Sequence, residues 1–252
     1  MEGCQVSVEA NPVSLSGGHR SDPAVRLYAG HSRSIMLRLV PEIRAKGALQ
    51  VLCIGAHSDD LEIGCGGTLL TWLAGARPVD VTWVVLSAEG ARASEARRSA
   101  SALLARAAAR RVVIAGFRDG YLPAQFADAK GFFEDLKRKV DPEIILTHWL
   151  HDRHQDHRLV ADLTWNTWRN HLVLEYEIPK YEGDLSPPNA YVPVSASIAR
   201  RKINHLRRYF ASQSSKDWFI GENFLGLMRL RGIESRSPSG FAEAFHARKL
   251  VL

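Results

Sequence analysis

Cysteine is scarce in this 252-residue chain: three residues in all, Cys4, Cys53 and Cys65. An odd count with no CxxC pair argues against a disulfide framework and against a cysteine-built metal site, so a reducing compartment such as the cytoplasm is expected. Long apolar runs are also missing. None approaches the ~20 residues needed to cross a bilayer, so no membrane span is expected. The opening stretch MEGCQVSVEANPVSLSGGHRSDPAV has neither a basic start nor an apolar core, and a secretory signal is not expected. Residues 1 to about 24 are rich in Ser, Gly and Pro and are expected to be a poorly ordered lead-in to one domain over 25–252.

Several motifs are absent as well. A phosphate-binding loop needs GK[ST], which does not occur. GCGGT at 64–68 fails the dinucleotide pattern GxGxxG because position 69 is Leu69. Its glycines are instead expected to let the backbone turn tightly into a following helix. There are no internal repeats and no RNP, KH, zinc-finger or helix-turn-helix signature. The net charge of +6 therefore does not by itself argue for nucleic acid. Solubility, or an anionic substrate, accounts for it equally well. The basic run RRKINHLRR at 200–208 sets Ile203, Leu206 and Phe210 at helical spacing, as in an amphipathic helix with a solvated basic face.

What is present is an ordinary globular composition, 46% hydrophobic and 24% charged, over a length that fits one large domain. From residue 49 apolar strands alternate with helices. Strands are expected at 49–55, 79–87, 111–116, 143–149 and 172–178. Helices are expected at 66–76, 94–109, 129–140 and 158–171. Continuous apolar strands between helices indicate a Rossmann-like, doubly wound α/β fold with a mostly parallel sheet covered on both faces. Beyond 179 the pattern weakens, with an edge strand possible in PPNAYVPVS and a helix over 197–210. In such folds ligands bind at the carboxyl ends of the strands. The polar residues are densest after strands one and four, which the usual strand orders make neighbours.

After strand one the chain reads AHSDDLEIGCGGT, and after strand four THWLHDRHQDHR. Adjacent carboxylates repel, and four histidines beside two acids are hard to explain as packing, so a metal site is expected. His57 and Asp60, three apart, converge if the loop takes a helical turn. A third ligand from the second segment completes a two-His, one-carboxylate set with an open coordination position. Zinc is the default metal for hydrolysis, and the same ligands serve iron(II). Asp59 is then free to take a proton from a polarised water, and the cation relieves its repulsion with Asp60. The competing reading makes Asp59 a helix cap.

These residues resemble the PIG-L/LmbE-like de-N-acetylases, whose signatures AHPDDxExGxGGT and HxDH are similar to residues 56–68 and to His154–His157. The segment EGARASEARRSA at 89–100 is similar to the family's segment after its second strand. The resemblance spans about residues 49 to 215 and departs at Ser58, where proline is usual. It implies zinc on His57, Asp60 and His157, and Asp59 as general base. It implies a protonated His154 that stabilises the oxyanion, and Asp156 orienting a neighbouring histidine. The implied reaction is hydrolysis of an N-acetyl group on a small-molecule acetamido sugar. Arg92 is a candidate substrate-binding residue from the strand-two loop. Two other readings remain, a non-hydrolytic metal enzyme with the same ligands and a basic nucleic-acid-binding protein. Carboxylates at the sheet edge argue against the second.

Overall fold

The computed structural model describes residues 47–250. The expected lead-in at 1–24 lies outside the described residues. The elements are β1 (Leu49–Gly55), α1 (Asp60–Trp72), β2 (Val79–Val85), α2 (Gly90–Leu103), β3 (Ala109–Ile114), α3 (Phe126–Lys137), β4 (Ile144–His148), α4 (Gln155–Thr167), β5 (Leu172–Tyr176), β6 (Ala190–Pro193), α5 (Ala196–Tyr209), α6 (Gly221–Glu234) and β7 (Ala242–Ala247). Short 3-10 turns precede α3 and follow α5.

The sheet order is β3-β2-β1-β4-β5-β7-β6. The chain winds outward from β1 to β3, then returns to β4 on the other side of β1. The first five strands are parallel, with β1 paired to β2 from Leu49↔Val79 and to β4 from Val51↔Ile144. β7 runs antiparallel to β5, and β6 antiparallel to β7 at the edge. Side chains alternate across a strand. Accordingly Val51 and Cys53 enter the core shared with α1, α2, α5 and α6, while Leu52 and Ile54 enter the core shared with α3 and α4. The expected α/β architecture is therefore observed, and the reversal of winding places the ends of β1 and β4 side by side, where ligands bind.

Two expectations need correction. The helix expected at 66–76 starts six residues earlier, at Asp60, so GCGGT lies inside it rather than turning into it. The glycines serve close approach instead. A Cβ on Gly64 would stand 2.2 Å from the Tyr176 ring, and one on Gly67 would stand 2.9 Å from Glu243. Glu243 accepts from the Gly67 and Thr68 amides at 2.7 and 2.6 Å, while Lys202 binds the Ile63 carbonyl and Glu243. A buried ion pair is thus inserted into the backbone ladder of α1. Second, α6 and β7 were not anticipated. The buried face of α6 includes Gly221, Arg231 and Gly232, with Arg231 paired to the buried Glu177. Glycine and arginine hide its helical period, and the buried Glu243 does the same for β7.

Candidate functional site

The turn after β1 carries His57, Ser58 and Asp59 into α1, and all three are buried. The His57 amide donates to Asp60 Oδ2 at 2.6 Å, which folds the loop into the helical turn that brings the two side chains together. Asp59 occupies the N-cap position of α1, yet its side chain makes no capping hydrogen bond. Its carboxylate is therefore not spent on the helix. From the β4 side, His157 sits in the first turn of α4 and approaches the same point. His57 Nδ1 lies 3.1 Å from His157 Nε2 and 3.4 Å from Asp60 Oδ2, and His157 Nε2 lies 3.6 Å from Asp60 Oδ1.

The far nitrogens of both histidines are held. His157 Nδ1 lies 2.9 Å from Asp152 Oδ2, and Lys180 Nζ reaches the same oxygen at 3.0 Å. His57 Nε2 lies 3.2 Å from Asp156 Oδ2 and 3.1 Å from Asp119 Oδ1. Asp156 is itself fixed by the Gly120 and Leu122 amides. Such outer partners orient metal-binding imidazoles. Two further histidines come close enough to share an ion: His148 with Asp60 and His157, and His154 with His57 and His157. His148 Nε2 accepts from the Ala56 amide at 3.0 Å, and His154 Nδ1 from the Asp156 amide at 3.3 Å, which occupies those lone pairs. His151 is exposed and packs on Trp149, away from the cluster.

The donor set fits a divalent cation. Donors about 2.0–2.2 Å from a common ion stand roughly 3.3–3.6 Å apart in a tetrahedron; here the two imidazoles are 3.1 Å apart, and each reaches one oxygen of Asp60, His57 to Oδ2 at 3.4 Å and His157 to Oδ1 at 3.6 Å. The electrostatics agree. Burial, with His148 beside it, pushes His157 down to about 3, leaving a neutral ring with a lone pair. Burial opposes ionisation of Asp60, but His157, His148 and His57 outweigh it and hold the carboxyl well below its usual range. For His57, burial is outweighed by Asp60, Asp119 and Asp156, which favour positive charge at this point. Asp59 is pushed up to about 6 by burial and by Asp60, against the pull of Arg92.

His154 departs from expectation. The resemblance implies a protonated ring, but burial and the neighbouring His57 outweigh Asp156, Asp60 and Asp152 and lower its pKa. With Nδ1 accepting the Asp156 amide, the ring is the neutral tautomer that carries its proton on Nε2. Arg92 is also committed to protein groups. It bonds Ser58 Oγ at 3.1 Å and Asp119 Oδ2 at 2.6 Å, and approaches Asp59 Oδ1 at 3.5 Å. It lines the cleft as expected, while bracing the two acids.

These groups form the floor of a cleft of about 380 Å³, whose far wall is built by Ile178, Lys180, Tyr181, Gln213, Lys216 and Trp218. His148 and Asp152 lie in the segment THWLHDRHQDHR and were in view from sequence, whereas Asp119 lies in the loop after β3, outside both motif segments. Lys180, Gln213 and Trp218 carry no local motif, and only the fold brings them to the site.

No curated protein matches the chain. Among solved structures it is similar to GalB, the 4-carboxy-2-hydroxymuconate hydratase of Pseudomonas putida KT2440. The identity is 19% and the TM-score 0.65, over 81% of this chain and 98% of that one. It is similar to the N,N'-diacetylchitobiose deacetylase of Pyrococcus horikoshii, at 20% identity and a TM-score of 0.59, over 79% and 83%. It is also similar to a zinc-inhibited form of the teicoplanin deacetylase Orf2, at 17% identity and a TM-score of 0.57, over 77% and 96%. At these identities the likeness establishes the fold. The segment carrying both motifs, residues 52–168, matches the family model PIG-L, described as GlcNAc-PI de-N-acetylase.

Proposed function

We propose that this protein is a metal-dependent hydrolase that removes an N-acetyl group from an acetamido sugar or sugar conjugate. The observation that carries the reading is the convergence of His57, Asp60 and His157 within 3.1–3.6 Å, with the unspent carboxylate of Asp59 beside them at the floor of an open cleft. His57 Nδ1, Asp60 and His157 Nε2 would hold the ion, with Asp156, Asp119 and Asp152 fixing the imidazoles. A bound zinc supplies Lewis-acid polarisation of water and of the amide carbonyl; iron(II) suits the same donors.

The chain's own groups do the rest. Asp59 accepts a proton as water oxygen adds to the acetyl carbon. His154 donates its Nε2–H to the carbonyl oxygen as negative charge develops there, acting as a neutral donor rather than an imidazolium. When the C–N bond breaks, the proton held by Asp59 passes to the departing nitrogen, giving acetate and a free amine. Arg92 and Ser58 keep Asp59 in place.

A non-hydrolytic reading uses the same site, since addition of water to a double bond also needs a base and a polarised oxygen. The likeness to a hydratase shows that this fold serves that chemistry in another protein. The match of residues 52–168 to the GlcNAc-PI de-N-acetylase family model favours deacetylation. A panel of N-acetylated sugars, nucleotide sugars and sugar–inositol conjugates, scored for acetate release, tests the choice. Acetate from at least one member is expected, and its absence across the panel would reject the proposal.

A further inference from the structure

Gln213 lines the cleft yet is only 3% exposed. Its Nε2 donates to Ser212 Oγ at 3.1 Å. Ser212 in turn donates to Glu95, from its amide to Oε1 at 3.0 Å and from its hydroxyl to Oε2 at 2.5 Å. Glu95 is buried in α2. A serine hydroxyl has one proton. With that proton given to a carboxylate, Ser212 can offer Gln213 only a lone pair. The amide is thereby locked with Nε2 toward Ser212. Turning it over would set Oε1 against that lone pair and strand the N–H groups. Oε1 is left as a buried acceptor with no hydrogen-bond partner among the described residues. An unmet buried acceptor is costly, and a site built around one rejects ligands that lack the matching donor.

The surroundings say what kind of donor. Gln213 shares the cleft wall with the indole of Trp218 and with Tyr181, whose hydroxyl donates to Asp217 and so ties the two wall segments together. A flat apolar ring beside a fixed acceptor matches a sugar, which has an apolar face and hydroxyl edges. The other hydrogen bonds of Gln213 are backbone bonds to Phe210 and Lys216. Among the described residues none goes to His57, Asp59, Asp60, His154 or His157, so Gln213 is not tied to the groups proposed to carry the reaction.

We propose that Gln213 is a specificity-determining residue whose Oε1 accepts a hydrogen bond from a ring hydroxyl of the acetamido sugar, with Ser212 and Glu95 as the positioning residues that fix its direction. This rests on the sugar-deacetylase reading. It also assigns sugar selection to chain outside the family-matched residues 52–168.

The test measures binding rather than turnover. The full chain carries one equivalent of zinc and the Asp59→Asn substitution, to stop hydrolysis. Affinities are measured for N-acetylglucosamine and its 3-, 4- and 6-deoxy analogues. One analogue is expected to bind about three- to tenfold more weakly than the parent, the worth of one hydrogen bond. Adding Gln213→Met should make that analogue and the parent bind alike. Ser212→Ala, which keeps Gln213 but frees its amide to turn, should shrink the difference. An amide that is merely structural would lower the unfolding midpoint and leave the discrimination intact. Retained discrimination in both variants overturns the proposal, as does a parent protein that binds no N-acetylglucosamine or treats all four sugars alike. Discrimination without acetate release from any sugar would sink the deacetylase reading alone, and acetate release with unaltered discrimination would sink this one alone.

Discussion

At the scale of single residues, the proposed function separates groups that would hold an ion from groups that would move protons. Asp60 is surrounded by three imidazoles, whereas Asp59 faces the cleft beside Arg92. Asp59→Asn keeps size and polarity but cannot accept the proton. Turnover is expected to fall by about 10² to 10⁴, the usual contribution of a positioned base, while metal content measured by atomic emission stays near one per chain. Near-normal turnover would remove Asp59 from the base role. His154 gives a second residue-level prediction. Its capping bond and lowered pKa make it a neutral donor, so His154→Gln, which retains an N–H, should keep far more activity than His154→Ala. The alanine variant is expected to lose about 10² to 10³, the usual worth of one oxyanion donor. Equal losses in the two would mean that charge, not the N–H, is what matters there.

At the scale of elements, the motif glycines are packing devices of α1. Gly64 lies against Tyr176, whose hydroxyl donates to the Ile54 carbonyl at 2.8 Å and so ties β5 to β1 beneath the site. Gly64→Ala would force helix and strand apart and is expected to destabilise the fold by about 1–3 kcal/mol or more, as overpacking does. Gly131, in α3, has no atom within 4 Å of the position a Cβ would take. Gly131→Ala should therefore stabilise by about 0.5–1 kcal/mol through helix propensity. Chemical unfolding of both variants checks the pair, and a Gly64→Ala protein as stable as its parent would refute the packing role. The element scale is also where sequence reading was strongest and weakest. The strands β1 to β5 were legible because each carries a cluster of apolar residues between helical segments, although β3 begins with Ala109, Arg110 and Arg111, all exposed, and so starts earlier than its apolar part. The start of α1 was not, because Asp60, Leu61 and Glu62 read as loop. In fact their helical conformation is what brings Asp60 to His57.

At the scale of the whole molecule, two histidines that do not line the cleft are expected to make stability depend on pH. His205, between α5 and α2, is pushed down to about 4 by burial and then by Arg201 and Arg208. His246, on β7 against Trp149, is pushed down to about 4 by burial and then by Arg231 and His151. Both have folded pKa values below the unfolded value of about 6.5. Between those values the unfolded chain binds protons that the native state refuses, so their contribution to stability is lost as pH falls from about 6.5 to about 4. In His205→Gln the unfolding midpoint should fall less steeply over that window. A slope equal to the parent's would show that His205 is not held neutral by the fold.

Most of the cleft floor was readable because His57, Asp59, Asp60, His154 and His157 fall in two short segments. Lys180, Gln213 and Trp218 were not, because they enter from chain whose local pattern is that of any loop. The metal requirement is the claim on which the rest depends, and the most direct measurement removes and restores the ion. Protein stripped by chelator and assayed on the most active member of the sugar panel should release no acetate. One equivalent of zinc or iron(II) should restore release of acetate and free amine in equal amounts. Full acetate release by the stripped protein would contradict the account, as would a reloaded protein that adds water to a substrate without releasing acetate.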